Sequence, residues 1–148
     1  MALIKSISGI RGTIGGVPDE NLTPIDAVKF AAAYGFWLKN HVHKTRIKVV
    51  VGRDARLSGE MVQNLVQYTL IGLGIDVVDL GLSTTPTVEV AVTMEQADGG
   101  IILTASHNPK QWNALKLLNN QGEFLNAQEG EEILRIAADN SAVFAEVD

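Results

Sequence analysis

The sequence predicts an α/β fold, a three-layer α/β/α domain around a mixed, mostly parallel central sheet, and three observations carry that reading. Short β-branched or apolar runs alternate with stretches of helical spacing along most of the chain. Helix-start signals recur between those runs, at Thr23-Pro24, at Ser58 and at Thr85-Pro86. The run Gly99-Gly100-Ile101-Ile102-Leu103 is apolar without alternation, as a central strand buried on both faces would be.

Taken in order, a short strand is expected around Ile7 to Arg11. Thr23-Pro24-Ile25-Asp26 then supplies an N-cap, a proline at the first helical position and an acid at N3, for a helix from about Pro24 to Lys39. Val28, Ala31, Ala32, Gly35 and Leu38 mark its apolar side. Ile47 to Val51 is a strand leading into Gly52-Arg53-Asp54-Ala55-Arg56-Leu57-Ser58-Gly59. Ser58 is expected to cap a second helix, with Met61, Val62, Leu65, Val66, Thr69 and Leu70 as its apolar face. Ile75 to Leu80 is the next strand, and Thr85 caps a third helix to about Gln96. The strand from Gly99 to Thr104 follows, then strands over Ala114 to Leu118 and Glu123 to Leu125 around the turn Asn119-Asn120-Gln121-Gly122. Asn126-Ala127-Gln128-Glu129 has the form of a capping box for a last helix to about Ala138. Residues 1–138 are thus expected to form one domain, and 139–148, which hold no pattern, to begin a linker.

A chain of 148 residues can bury one substantial core, and 46% hydrophobic with 20% charged residues is ordinary for a globular domain. The absence of cysteine excludes disulfides, zinc-thiolate sites and cysteine nucleophiles. A formal net charge of -5 argues against a nucleic-acid partner. No apolar run approaches the roughly 18 to 20 residues of a membrane span, and no signal segment opens the chain, so a cytoplasmic protein with no membrane partner is expected. Charge is unevenly spread. After Leu117 the only basic residue is Arg135, while Arg11, Arg46, Arg53 and Arg56 all fall in the first sixty residues.

Chemistry concentrates in Thr104-Ala105-Ser106-His107-Asn108-Pro109, at the C-terminal end of the buried strand, where open α/β sheets present ligand-binding groups. Pro109 stops the strand and biases Asn108 toward an extended conformation, which leaves Ser106, His107 and Asn108 in a constrained turn. By spacing alone Ser106 reads as a turn residue or helix cap as well as a nucleophile. A serine-hydrolase elbow needs small residues two positions to either side, where Thr104 and Asn108 stand, and no His/Asp pair completes a triad. His41 and His43 read as solvated loop residues after the first helix.

Arg11, set between Gly9 and Gly12, is either a surface arginine or a bidentate phosphate ligand. Arg53, Asp54 and Arg56 precede a helix N-terminus, where an anion is favoured. Either arginine could contact phosphate, or Asp54 could pair with one of them and brace the loop. Lys116 lies between Leu115 and Leu117, so strand alternation sends it to the opposite face from both. If that face is a cleft, burial and nearby arginines would depress its pKa. Gly72-Leu73-Gly74 follows a helix and precedes a strand, the reverse of a dinucleotide-binding turn, and there is no Walker lysine motif.

Four segments in order, Ser8-Gly9-Ile10-Arg11-Gly12-Thr13, Gly52 to Gly59, Thr104 to Pro109 and Asn113-Ala114-Leu115-Lys116, resemble motifs of the α-D-phosphohexomutases. That family includes phosphoglucomutase, phosphomannomutase and phosphoglucosamine mutase, and the resemblance covers residues 8 to 116. It implies phosphoryl transfer through a phosphoserine at Ser106, with Lys116 as acid-base and Arg11 and His107 in the catalytic site. It further implies that Arg11, Arg53, Ser106, His107, Asn108 and Lys116 bind phosphate or substrate, though Asn108 and His107 could equally hold the loop. The implied reaction interconverts hexose 1- and 6-phosphates of glucose, mannose or glucosamine, with a hexose 1,6-bisphosphate as intermediate and activator. Mg²⁺ is implied as cofactor, with phosphorylated Ser106 as one ligand. The family's Asp-Gly-Asp-Gly-Asp-Arg metal loop and its sugar-reading loops do not occur here, so the chain reads as domain I, with domains II–IV of the same enzyme as partners. A non-catalytic phosphosugar-binding domain and a phosphatase working through the phosphoserine are the alternatives.

Overall fold

The computed structural model describes residues 3–7 and 9–146; Ser8, the first residue of the opening arginine motif, and the terminal Val147 and Asp148 lie outside the described residues. The chain runs β1 (Leu3–Ser6), β2 (Gly9–Thr13), α1 (Pro24–His41), β3 (Lys48–Arg53), α2 (Gly59–Gly72), β4 (Asp76–Leu82), α3 (Thr85–Met94), β5 (Gly99–Leu103), β6 (Trp112–Leu118) and α4 (Ala127–Asp139). The strands form one sheet in the order β1-β2-β6-β5-β3-β4. β3 is parallel to β4 and β5, whereas β6 is antiparallel to β5 and to β2, and β1 is antiparallel to β2. Hence β2, β3, β4 and β5 run one way and β1 and β6 the other, the mixed, mostly parallel sheet that the sequence predicts.

Strand alternation divides the apolar residues between two layers. Val49, Val51, Ile101, Leu103, Leu115 and Leu117 face α1, α2 and α4 in the larger core. Val50, Ile102 and Leu118 face the other way and meet Val88 and Val92 of α3. α1 is anchored through the sheet by Tyr34, whose hydroxyl donates to the Leu118 carbonyl at 2.6 Å and accepts the Gly100 N–H at 3.0 Å. Burial pushes this phenol well above its ordinary pKa. Only glycine fits at 99, because a Cβ there would collide with the Tyr34 hydroxyl.

Several boundaries differ from expectation for local reasons. The single opening strand is two, β1 and β2, and Ser6 Oγ donates to the Gly9 carbonyl at 3.0 Å across the break between them. α1 runs to His41, which is therefore no loop residue: its Nδ1 donates to the Trp37 carbonyl at 2.8 Å and its Nε2 lies 3.3 Å from Glu132. Ser58 makes no side-chain cap to α2; its hydroxyl instead accepts from Asn113 Nδ2 at 2.9 Å. α3 is capped by Thr84, not Thr85, since Pro86 fits anywhere in a first turn whose N–H groups lack helical partners. Glu123 to Leu125 forms only an isolated bridge from Phe124 to Leu118, because Asn119 Oδ1 takes the Gln121 and Glu123 amides at 2.9 and 3.0 Å. The capping boxes at Thr23/Asp26 and Asn126/Glu129 form as read. Past α4, residues 141–146 carry no helix or strand, and the Ala145 N–H donates to the Gly72 carbonyl at 3.0 Å. No helix among the described residues is long and apolar enough to cross a membrane.

Candidate active site

β3 and β5 are parallel neighbours with Arg53 opposite Leu103, so both release their following loops at the same sheet edge. The two loops are tied together at once. The Asp54 N–H donates to the Leu103 carbonyl at 3.1 Å, and Thr104 Oγ1 donates to Asp54 Oδ2 at 2.6 Å while accepting the Ser106 N–H at 3.1 Å. The Asn108 N–H closes the turn on the Ala105 carbonyl at 2.9 Å. Ser106 is thereby held at φ +51°, a left-handed conformation that costs an ordinary residue roughly 1–2 kcal/mol. Such an outlier on a solvent-facing loop points to a functional constraint.

The Ser106 hydroxyl is not free in solvent. Lys116 Nζ donates to it at 2.5 Å. Lys116 reaches it from β6, on the face opposite Leu115 and Leu117, as the alternation predicts. Arg11 on β2 lies opposite Ala114 and so shares the face of Lys116. Arg11, Ser106, His107, Asn108 and Lys116, with Ala105 and Ala114, line a cavity of about 260 Å³. Partial burial does most to push the Lys116 pKa below that of an ordinary lysine; Arg11 pushes it the same way, Asp54 opposes, and Arg56 adds to the lowering. A hydroxyl against an amine of reduced basicity, beside a guanidinium, can exchange a proton and accept an anion.

Of the residues expected to bind phosphate or substrate, Arg53 alone lies outside the cavity. Its Nε donates to Gln63 Oε1 at 2.7 Å and its Nη1 to the Asp54 carbonyl at 3.3 Å, which holds the guanidinium over α2. The bracing alternative describes Asp54, whose Oδ2 accepts from Arg56 Nε at 3.1 Å. Sequence reading gave Thr104 no role in the site. The signal for it lay in spacing: a threonine two residues before Ser106 can take its amide, just as Asp54 takes the Arg56 amide at 3.2 Å.

Fold and site together define an α/β/α domain that presents one serine hydroxyl to a cationic cavity at the edge of its sheet. The chain belongs to the phosphoglucomutase/phosphomannomutase family, whose model for alpha/beta/alpha domain I matches residues 4–143. It is 43% identical over 113 residues to a phosphoglucomutase/phosphomannomutase of Thermococcus kodakarensis, a match covering 75% of this chain and 25% of that protein. A phosphoglucosamine mutase of Limosilactobacillus fermentum is 42% identical over 113 residues, again with 75% and 25% covered. The crystal structure of a phosphoglucomutase/phosphomannomutase family protein from Burkholderia thailandensis superposes with a TM-score of 0.82 at 25% identity, covering 97% of this chain and 31% of that one. The chain thus spans about a quarter of the length of the curated relatives it matches.

Proposed function

We propose that this chain is the phosphoryl-carrying domain of a hexose-phosphate mutase, with Ser106 as the carrier. The observation that carries this reading is the Lys116–Ser106 contact inside a cavity that Arg11 also lines. Phosphorylated Ser106 loses its phosphoryl group to a sugar hydroxyl: the Oγ–P bond breaks and a new P–O bond forms on the sugar. The Lys116 ammonium protonates the departing Oγ, and the proton of the sugar hydroxyl replenishes Nζ. The resulting hexose 1,6-bisphosphate reorients, and Ser106 takes back the other phosphoryl group: the sugar P–O bond breaks as the Oγ–P bond re-forms, the Lys116 ammonium protonates the departing sugar oxygen, and the Ser106 hydroxyl proton replenishes Nζ. Arg11, the exposed His107 and the half-buried Asn108 receive the phosphoryl oxygens. The net change is the interconversion of a hexose 1-phosphate and a 6-phosphate, the hexose being glucose, mannose or glucosamine.

The residues present do not make a Mg²⁺ site by themselves. Among the described residues no three His, Asp or Glu side chains gather where a metal could sit, and the cavity is lined by the cationic Arg11 and Lys116. A phosphoryl group on Ser106 would offer one ligand, and no step above is routed through the ion. On this reading the remaining metal and sugar contacts come from domains II–IV, and residues 1–148 alone fold without turning over.

The test is Ser106→Ala in the full gene product, assayed for conversion of hexose 1-phosphate to 6-phosphate with hexose 1,6-bisphosphate as activator. Turnover should fall to background with an unchanged melting temperature, and peptide mapping of the unaltered protein should place phosphate on Ser106. Undiminished turnover, or phosphate held stably on a different residue, overturns the assignment. Release of inorganic phosphate without isomerisation would instead indicate a phosphatase, and sugar-phosphate binding without either reaction a binding domain.

A further inference from the structure

Arg56 makes more hydrogen bonds to the serine loop than any residue of the cavity, yet it does not line the cavity. Its Nη2 donates to the carbonyls of Ser106 at 2.8 Å and Asn108 at 3.0 Å. Its Nη1 donates to the carbonyls of Pro109 at 2.7 Å and Trp112 at 3.1 Å, and its Nε to Asp54. A guanidinium has five N–H donors in a fixed fork, and here all five are engaged. None is left for a phosphoryl oxygen. The side chain itself is only 11% exposed, while the Ser106 and Pro109 carbonyls it holds lie on the exposed loop.

We infer that Arg56 is a positioning residue for phosphoryl transfer: a clasp that ties three carbonyls of the loop to that of Trp112 at the start of β6 and so sets the direction of the Ser106 hydroxyl. This rests on the mutase reading above. Two consequences of the geometry support it. Turning the Ser106 carbonyl toward Arg56 directs the following N–H, that of His107, to the opposite side of the trans peptide, away from the guanidinium and available to an anion. The clasp also works with the Asp54–Thr104–Ser106 chain, since Asp54 is bonded to Arg56 and Thr104 alike. The left-handed backbone at Ser106 is thus gripped by its amide from one side and its carbonyl from the other. Lysine could not do this: three donors on a single nitrogen cannot span four carbonyls and a carboxylate.

The experiment compares Arg56→Lys and Arg56→Ala with the unaltered full gene product, with Ser106→Ala run in parallel. A displaced hydroxyl should lower kcat by roughly 10²-fold in Arg56→Lys, with KM unchanged within about twofold, because phosphate binding lies with other residues. Millimolar guanidinium should restore part of the kcat of Arg56→Ala, and methylammonium should not. Hydrogen exchange across 104–112 should quicken in both variants. A rise in KM at preserved kcat would make Arg56 a substrate ligand and overturn the inference, as would unchanged kinetics. Loss of the whole fold in Arg56→Lys would overturn it too, by making the residue a general structural element. If Ser106→Ala keeps its turnover the mutase reading fails, whereas a dead Ser106→Ala beside a normal Arg56→Lys removes only the clasp.

Discussion

The two faces of the sheet are dressed very differently. One carries α1, α2 and α4 over a continuous apolar layer that includes Ile10, Leu115 and Leu117. The other carries α3 alone, packed over β3 and β5 against a core of far fewer residues. The main sheet contacts of α3 are with β3 and β5, and Arg11 on β2 and Lys116 on β6 stand beside that covered strip, lining the cavity. A charged side chain is costly under a helix and tolerable on an open face, so a strip of the sheet outside the helix can carry a lysine and an arginine on adjacent strands. Leu115 and Lys116, adjacent in β6, report one face each.

Lys116→Met offers the largest effect. It keeps much of the side-chain volume but removes charge and proton, so kcat in the full gene product should fall by roughly 10²–10⁴-fold. Its melting temperature should barely move, and a near-normal kcat would detach Lys116 from the chemistry. Leu115→Ala, one residue away, should do the reverse. Leu115 is fully buried in the larger core, and its truncation should cost about 2–5 kcal/mol in denaturant unfolding, with the cavity chemistry spared in the molecules that remain folded. Equal effects of the two substitutions on stability would contradict the division of faces.

A smaller effect tests the electrostatics of the open face. Arg11→Met removes a guanidinium that lowers the Lys116 pKa, so that pKa should rise in an NMR titration of the lysine ammonium. Burial, the larger cause, remains, and the value should stay below that of an ordinary lysine. Because the folded-state pKa lies below the unfolded one, the unfolded chain holds more proton between the two values. The contribution of Lys116 to stability therefore increases as pH rises through that alkaline window, and Lys116→Met should flatten the slope there.

Much of this was legible in the sequence because periodicity is a local signal. The alternation through Leu115-Lys116-Leu117 predicted that Lys116 faces away from its neighbours, and the Thr23/Asp26 and Asn126/Glu129 boxes predicted two helix starts. Ser106, Lys116 and Arg11 came together as the motifs implied. What escaped depends on partners distant in the chain. Ser58 reads as a cap until Asn113, 55 residues away, takes its hydroxyl. Arg53 and Arg56 look interchangeable in Gly52 to Gly59, and only the fold turns one toward Gln63 and the other toward carbonyls more than fifty residues further along. His41 is exposed, as expected, but sits in the last turn of α1, within reach of Glu132 of α4, a partner the local sequence does not show.

The left-handed backbone at Ser106 makes the residue a liability to the fold that houses it. Glycine adopts φ +51° without the clash between Cβ and carbonyl, so Ser106→Gly should stabilise the domain by up to about 1 kcal/mol in thermal unfolding. Threonine would keep the hydroxyl but add a β-branch, which suits this conformation worst. Selection for stability alone would thus erase the hydroxyl, and selection for a bulkier alcohol is blocked by the backbone, which leaves serine as the one side chain that satisfies both demands.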